Sequence, residues 1–97
     1  MRGMNEKHIE SHFLWVVANL GGKTWKFSSP GHSGVADRVV CLPDGSTWFV
    51  ELKAPDGRLS PLQIRFAADM KRLNQNYVCI RTLDEADAFT TVSRTRR

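Results

Sequence analysis

The first twenty residues carry apolar side chains at helical spacing. Asn5 can cap a helix that runs to about Leu20, and Gly21 and Gly22 supply its stop. The apolar positions recur every three or four residues, as on one face of an α-helix: Ile9, Phe13, Val16, Val17 and Leu20. This pattern predicts an amphipathic first helix.

The following segments are rich in β-forming residues. Residues 24–28, 37–42 and 47–53 are predicted as strands, and Pro43-Asp44-Gly45-Ser46 between the last two is a hairpin signal. Both faces of this hairpin are apolar. A strand that is apolar on both faces needs cover on both sides, so we expect helices to flank the sheet.

Two capping boxes mark later helices. Ser60-Pro61-Leu62-Gln63 opens a helix to about Asn74, with an apolar stripe along it, and Thr82-Leu83-Asp84-Glu85 opens a last helix to about Val92. Residues 77–81 between them are predicted as a strand. The expected fold is therefore an α/β sandwich of order αβββαβα, a mixed sheet flanked by helices. Trp25 and Trp48 are expected in its core.

Length and composition fit one globular domain over residues 1–97. The chain has 97 residues, of which 41% are hydrophobic and 25% charged, and we expect residues 94–97 to form a frayed basic tail. No apolar run spans a bilayer, and the first residues do not resemble a secretory signal, so we expect a cytoplasmic protein without membrane contact. Cys41 and Cys79 occur singly and are expected as small buried side chains.

The basic charge favours an anionic partner. The formal net charge is +4 and the sequence pI is about 9.5, and nucleic acid is the commonest partner of so basic a small protein. His8 and His12 lie four residues apart on the first helix, but without a third ligand they are expected as exposed helix side chains.

Three charged residues stand out within the apolar hairpin. Asp37 begins one strand, and Glu51 and Lys53 lie near the end of the next. Pro43 cannot take a positive φ, so it suits the first central position of a type I turn, followed by a left-handed Gly45 in a bulged three-residue loop. Counting outward from this loop places Asp37 opposite Glu51, with Lys53 on the same face. A two-residue loop would instead put the carboxylates on opposite faces.

Two facing carboxylates repel each other unless a proton or a cation lies between them. Hard oxygen ligands favour Mg²⁺ or Mn²⁺ over zinc. The ammonium of Lys53 could orient an attacking water or neutralise charge growing on a phosphoryl group, which together suits phosphodiester hydrolysis. The alternative is a solvated salt bridge at the strand ends.

These residues also lie in a longer motif. Gly34-Val35-Ala36-Asp37, then Glu51-Leu52-Lys53 and Gly57-Arg58-Leu59-Ser60-Pro61-Leu62-Gln63, resemble the VRR-NUC branch of the PD-(D/E)XK nucleases. The flanking elements extend the resemblance over nearly the whole chain, with Ala36 where the family usually has proline. The resemblance implies a restriction-endonuclease-like αβββαβ core with an added C-terminal helix, and a metal-dependent DNA endonuclease.

The same resemblance assigns the site residues. Asp37 and Glu51 would bind the metal, with the backbone carbonyl of Leu52 as a further ligand. A glutamate on the first helix matches Glu10, which we expect on a sheet-facing stripe with Leu14 and Val17; its alternative is an ordinary exposed charge.

Two further residues are assigned in the same way. Lys53 would act on the water or the scissile phosphate. Gln63 would orient the lysine or the water, although its capping-box role is expected to compete.

The DNA-facing residues are expected among the basic side chains and histidines near the motif: Arg58, Lys26, Lys23 and His32. Family members of this minimal size resemble phage proteins that cut branched DNA as dimers, so a homodimer acting on junctions in replication or repair is expected. The alternatives are a flap, linear-DNA or restriction-type nuclease, and a DNA-binding module of the same fold without catalysis.

Overall fold

A computed structural model describes residues 5–95, and the side chains of residues 5–94. It contains three helices and four strands, in the order α1 (Glu6–Asn19), β1 (Lys23–Lys26), β2 (Arg38–Cys41), β3 (Thr47–Leu52), α2 (Pro61–Arg72), β4 (Asn76–Ile80) and α3 (Leu83–Thr95). The predicted order αβββαβα is confirmed. None of the helices in this described range is long and apolar enough to cross a membrane.

The four strands form one mixed sheet in the order β1-β2-β3-β4. The first three strands are antiparallel, and β4 pairs parallel with β3. The reversal follows from the connections, because a short hairpin joins β2 to β3 while the α2 crossover returns the chain to run parallel. The predicted mixed sheet is confirmed.

The hairpin between β2 and β3 has the predicted bulged loop. The Gly45 N–H donates to the Leu42 carbonyl at 3.0 Å, and the Leu42 N–H donates to the Ser46 carbonyl at 2.9 Å. Gly45 has a φ of 89°, which glycine adopts without the steric cost of a Cβ. The outermost residue pair of the hairpin is Arg38 with Val50. Asp37 and Glu51, each one residue farther along its strand direction, therefore also lie opposite each other.

The larger part of the core lies on the face covered by α1 and α3. Trp48 is 2% exposed, and its ring meets Phe89 of α3 edge-on, which in turn meets Phe13 of α1. Around them pack buried aliphatic residues from both helices and the sheet: Ile9, Val17, Val40, Leu42, Val50, Leu52, Ile80 and Ala86. Burial of this apolar surface holds the two helices against the sheet.

The other face is covered by α2 through a cluster of aromatic rings. Phe66 of α2 lies 5.9 Å from Phe49, 6.5 Å from Phe27 and 6.2 Å from Tyr77, measured between ring centroids. Helix α2, all of whose residues are described, contains no buried residue, and Leu62 and Leu73 of its predicted apolar stripe are half exposed. The lighter cover leaves this face of the sheet open beside the helix.

Two local predictions were wrong. Trp25 is 54% exposed and Cys41 is exposed as well, because both lie on strands toward the β1 edge, beyond the aromatic cluster under α2. The predicted basic tail is partly helical, since α3 continues to Thr95. Arg96 and Arg97 lie outside the described residues. Cys79 is partly buried.

Candidate active site

Asp37 is held at the start of β2 by the backbone of β3. Its Oδ2 accepts a hydrogen bond from the Leu52 N–H at 2.8 Å, and its own carbonyl accepts one from the Phe27 N–H at 2.8 Å. The side chain therefore has a fixed position beside Glu51. The register set by the bulged hairpin brings the two carboxylates together, as the sequence predicts.

Glu51 is a buried carboxyl group, with 2% of its surface exposed. Burial raises the pKa of Glu51 from its ordinary 4.5 to about 8, and the hydrogen bond and negative charge of Asp37 act in the same direction. The charge of Lys53 opposes this shift but does not overcome it. Without a cation, Glu51 therefore keeps its proton at neutral pH and shares a hydrogen bond with Asp37.

Gln63 contacts Glu51 and caps α2 at the same time. Its Nε2 donates to Glu51 Oε2 at 3.1 Å, while its Oε1 accepts from the Ser60 N–H at 2.8 Å. The two ends of the amide serve different partners, so the cap leaves the Nε2 group free to hold Glu51 rather than the lysine or water that the resemblance implies. The cap fixes the side chain that orients the carboxyl group.

The loop before β2 packs tightly against the start of α2. Gly34 has a φ of 87°, and a Cβ built there would lie 2.6 Å from Leu62 Cβ and from its backbone. A side chain at this position would displace the turn of α2 that carries Gln63. This contact gives a physical reason for the glycine that precedes Asp37 in the motif.

Lys53 directly follows β3, on the same face as Asp37 and Glu51. Its N–H donates to the Ile80 carbonyl at 3.0 Å, which continues the pairing with β4. The ion pairs formed among the described side chains join His12 to Asp87, Arg38 to Glu10, and Arg72 to Asp69. A direct salt bridge between Lys53 and either carboxylate is thus not formed within this part of the chain.

Two neutral side chains of β4 line the sheet beside the carboxylates. Cys79 pairs with Glu51 in the parallel register, and the Tyr77 hydroxyl is buried without a hydrogen-bond partner among the described atoms. Burial raises the pKa of both groups, so both stay protonated at neutral pH. They therefore add no charge to the site.

Glu10 lies on α1 and is held by a buried arginine. Its Oε2 accepts from Arg38 Nη1 at 3.3 Å, and Arg38 is 8% exposed. Arg38 Nε also donates to Thr24 Oγ1 at 3.2 Å. Glu10 is thus not a free exposed charge. The predicted stripe of Glu10 with Leu14 was also wrong, because α1 turns its Ile9 and Phe13 face to the sheet and leaves Leu14 36% exposed.

An open cleft of about 420 Å³ joins Glu10 to Asp37. Its walls come from α1, β1 and the two central strands: Glu6, Glu10, Lys26, Phe27, Ser28, Asp37 and Leu52. Glu6 lines the cleft one helical turn before Glu10, and its negative charge adds to the rise in the Glu51 pKa.

The predicted DNA-facing residues lie at different distances from the carboxylates. Lys26 lines the cleft, and Arg58 is exposed on the loop that leaves β3. Lys23 pairs with Cys41 at the far end of β1, so it lies away from the carboxylates. His32 lies in a separate hollow of about 230 Å³ beside Arg65 of α2.

Both histidines of α1 have local structural roles. His8 caps the helix with Asn5, accepting the Asn5 N–H and donating its own backbone N–H to Asn5 Oδ1. His12 Nε2 lies 2.6 Å from Asp87 of α3, and its ring stacks on Trp15. Neither belongs to a metal site among the described residues.

Known proteins share this sequence and fold. A phage protein, "Putative nuclease p44" from Acyrthosiphon pisum secondary endosymbiont phage 1, is 38% identical over 93 residues, covering 96% of this chain and all of that protein. A solved structure described as a VRR_NUC domain superposes with a TM-score of 0.82 at 28% identity, over 89% of this chain and 94% of its own. The chain belongs to the VRR-NUC family of nucleases. No family model matches the chain.

The donor atoms of this VRR-NUC site fit a hard divalent cation. The described residues contain no group of three or more His, Cys, Asp and Glu side chains that could hold a metal ion, and the donors available at this point of the sheet are the facing carboxyl groups of Asp37 and Glu51. Mg²⁺ commonly binds proteins through one or two carboxylates, with water and substrate phosphates completing the set. A cation would also replace the proton that Glu51 holds, which removes the repulsion between the carboxylates.

The stability of the metal-free protein is expected to fall as the pH rises from about 5 to 8. Folded Glu51 keeps its proton up to a pKa of about 8, whereas in the unfolded chain it loses the proton near 4.5. The native state therefore binds more protons across this window, and the free energy of unfolding decreases with pH by a few kcal/mol in total, on the order expected for such a shift. Thermal melts in EDTA across this range measure the effect.

The Glu51→Gln variant is the control for this pH dependence. It keeps the side-chain shape but cannot titrate, so its melting temperature should lack the fall seen in the wild type. Parallel curves for the two proteins would show that Glu51 does not hold a proton in the folded state.

Proposed function

We propose that this VRR-NUC protein is a divalent-metal-dependent endonuclease that hydrolyses phosphodiester bonds in DNA. The observation that carries the proposal is the pairing of Asp37, which lines the open cleft, with the buried Glu51 directly opposite it. Burying the Glu51 carboxyl group beside a second carboxyl group costs stability, and a site that binds a cation for catalysis explains why the fold keeps them. Lys53 lies on the same face, next to the pair.

In this proposal the chain's own residues divide the work. Asp37 and Glu51, with the backbone carbonyl of Leu52, hold Mg²⁺ or Mn²⁺, which supplies a Lewis acid at the scissile phosphate. Lys53 orients the attacking water or neutralises charge on the phosphoryl oxygens. Gln63 fixes the Glu51 carboxylate. The weaker candidate for a ligand is Glu10, because Arg38 already compensates its charge.

The proposed DNA path follows the open side of the sheet. Lys26 lines the cleft and Arg58 lies on the loop beyond β3, so both can contact phosphates on either side of the scissile bond. His32 and Lys23 lie farther out and would contact DNA only beyond the central phosphates. The net charge of +4 supports binding to a polyanion.

We further propose a structure-specific role on branched DNA in replication or repair, in the cytoplasm of a bacterial or phage-infected cell. A chain of 97 residues offers little surface for a long duplex. Two copies related by a two-fold axis would present two sites to the paired strands of a junction. The relative named "Putative nuclease p44" comes from a phage, which supports a role in phage DNA metabolism.

A panel of DNA substrates tests the proposed activity. Four-way junction, flap and linear duplex DNAs of equal length are incubated with the protein in Mg²⁺, Mn²⁺ or EDTA. We expect cleavage with either metal, no cleavage in EDTA, and faster cleavage of the junction at paired positions. Binding of all DNAs without cleavage would instead identify a non-catalytic module, and equal rates on junction and linear DNA would exclude the structure preference.

The proposed dimer is expected to appear in solution without DNA. Light scattering or sedimentation should give about twice the 11.0 kDa chain mass. A monomer at tens of micromolar protein that still cuts junctions at paired sites would exclude a preformed dimer.

A further inference from the structure

The loop between β3 and α2 begins with a tight turn over Lys53. The Gly57 N–H donates to the Ala54 carbonyl at 2.9 Å, and Pro55 occupies the second turn position, which its fixed φ favours. Gly57 lies directly above the lysine side chain, since a Cβ built at Gly57 would be 3.4 Å from Lys53 Cδ. The turn therefore lies beside the aliphatic part of the proposed catalytic side chain, separated from it by little more than the space of a methyl group.

Arg81 reaches this turn from the end of β4. Its guanidinium Nη1 donates to the Gly57 carbonyl. The arginine is itself fixed, because its backbone N–H donates to Glu85 Oε1 at 2.7 Å and the Glu85 N–H donates to Thr82 Oγ1 at 3.0 Å. The start of α3 thus holds the arginine, and the arginine holds the turn.

Lys53 needs such support because nothing else described holds its side chain. A lysine has a flexible four-carbon stem, and the described ion pairs leave Lys53 without a carboxylate partner within salt-bridge distance. The turn beside Cδ limits the space into which the stem can move. Among the described residues, the side chain that ties this turn to the rest of the fold is that of Arg81, through its hydrogen bond to the Gly57 carbonyl.

We propose that Arg81 is a positioning residue for Lys53, acting through the Ala54–Gly57 turn. The proposal rests on the proposed nuclease function and adds a residue outside the motif. Loss of the guanidinium frees the turn, and the Lys53 ammonium then spends less time at the scissile phosphate. Misplacing a catalytic group by about 1 Å can cost up to about 100-fold in rate. The alternative role for Arg81 is a direct phosphate contact, which would change DNA affinity.

A double-mutant cycle separates these two roles. Single-turnover cleavage is measured for the wild type, Arg81→Ala, Lys53→Ala and the double variant, with DNA affinity measured in parallel. We expect Arg81→Ala to cleave about tenfold or more slowly at saturating protein, with affinity within about twofold of wild type. In the Lys53→Ala background the same change should cost less than about twofold, because its effect passes through Lys53.

Two results would overturn the proposal. Equal losses from Arg81→Ala in both backgrounds would show that Arg81 acts independently of Lys53, and a loss confined to DNA affinity would make it a phosphate contact. Lys71→Ala, which removes an exposed positive charge from α2, is the charge control and should leave the rate unchanged. If Arg81→Ala does not fold, Arg81→Met keeps the aliphatic stem and takes its place.

A measurement independent of DNA tests the contact itself. The structure predicts a nuclear Overhauser effect between the Lys53 Hδ and Gly57 Hα protons, present in the wild type and Lys71→Ala and lost in the Arg81 variant. Its persistence in the Arg81 variant would overturn the positioning role. A wild type that shows the effect but cleaves no DNA with any metal would refute the nuclease proposal while leaving the role of Arg81 in holding the turn intact.

Discussion

Replacement of Lys53 by alanine is expected to lower the rate of DNA cleavage by about 100-fold or more while DNA affinity changes little. Lys53 lies beside the Asp37–Glu51 pair but makes no ion pair with it among the described side chains. Its removal therefore leaves both proposed metal ligands in place. It removes the positive charge that would act on the attacking water or on the phosphoryl oxygens.

The measurement is single-turnover cleavage of junction DNA, together with a binding titration on the same DNA in Ca²⁺. Lys71→Ala serves as the matched control, because it removes the same charge from an exposed position on α2. Cleavage by Lys53→Ala at the wild-type rate would reduce Lys53 to a strand-end charge. A loss of affinity that accounts for the whole effect would make Lys53 a DNA-binding residue.

The geometry of the carboxylate pair was predictable from the sequence because a local rule decides it. Pro43 cannot occupy a turn position that needs a positive φ, and Gly45 accepts one at no cost. These two residues select the bulged loop, and the loop selects the register that puts Asp37 opposite Glu51. Because side chains alternate strictly along a strand, the register chosen at the turn also fixes which residues face each other five residues away.

Features that depend on how far one element covers another were not predictable in this way. Trp25 alternates like a core residue, yet α2 does not extend over the β1 edge, so the ring is exposed. The ion pair between Glu10 and Arg38 depends on the rotation of α1 over the sheet. The spacing of apolar residues defines the buried face of α1, but it does not fix the rotation of the helix about its axis closely enough to predict which sheet residue Glu10 meets.

The double role of Gln63 shows a different limit. The capping box predicts one hydrogen bond of the side chain, and the family resemblance implies that the same side chain orients Lys53 or a water. The structure shows the capping bond together with a bond to Glu51, because the amide has an acceptor at one end and a donor at the other, and α2 begins close enough to β3 for both to be used. The closeness of α2 to β3 comes from the contact of Gly34 with Leu62, which pattern alone does not reveal.

Mg²⁺ or Mn²⁺ is expected to raise the melting temperature of the wild type, and Asp37→Asn and Glu51→Gln should each abolish that rise. A cation that binds only the folded state at about 100 times its dissociation constant adds about 2.7 kcal/mol, which for a domain of this size corresponds to roughly 10 °C or more. Both substitutions keep the side-chain shape, and the amide oxygen of Asp37→Asn can still accept the Leu52 N–H. Each variant therefore loses the ligand charge while the hairpin is retained.

The same experiment links the metal site to the cost of burying Glu51. In EDTA at pH 8, Glu51→Gln should be more stable than the wild type, because the unfolded wild type has lost the Glu51 proton at this pH and folding must either take it up again or bury the charge. In saturating Mg²⁺ the order of stability should reverse, with the wild type more stable than Glu51→Gln.

Asp84→Asn, which removes an exposed carboxylate on α3, is the control and should keep the full metal-induced rise in melting temperature. Equal metal-induced shifts in the wild type and in both site variants would show that the cation binds elsewhere, and the carboxylate pair would then be a hydrogen-bonded pair without a metal.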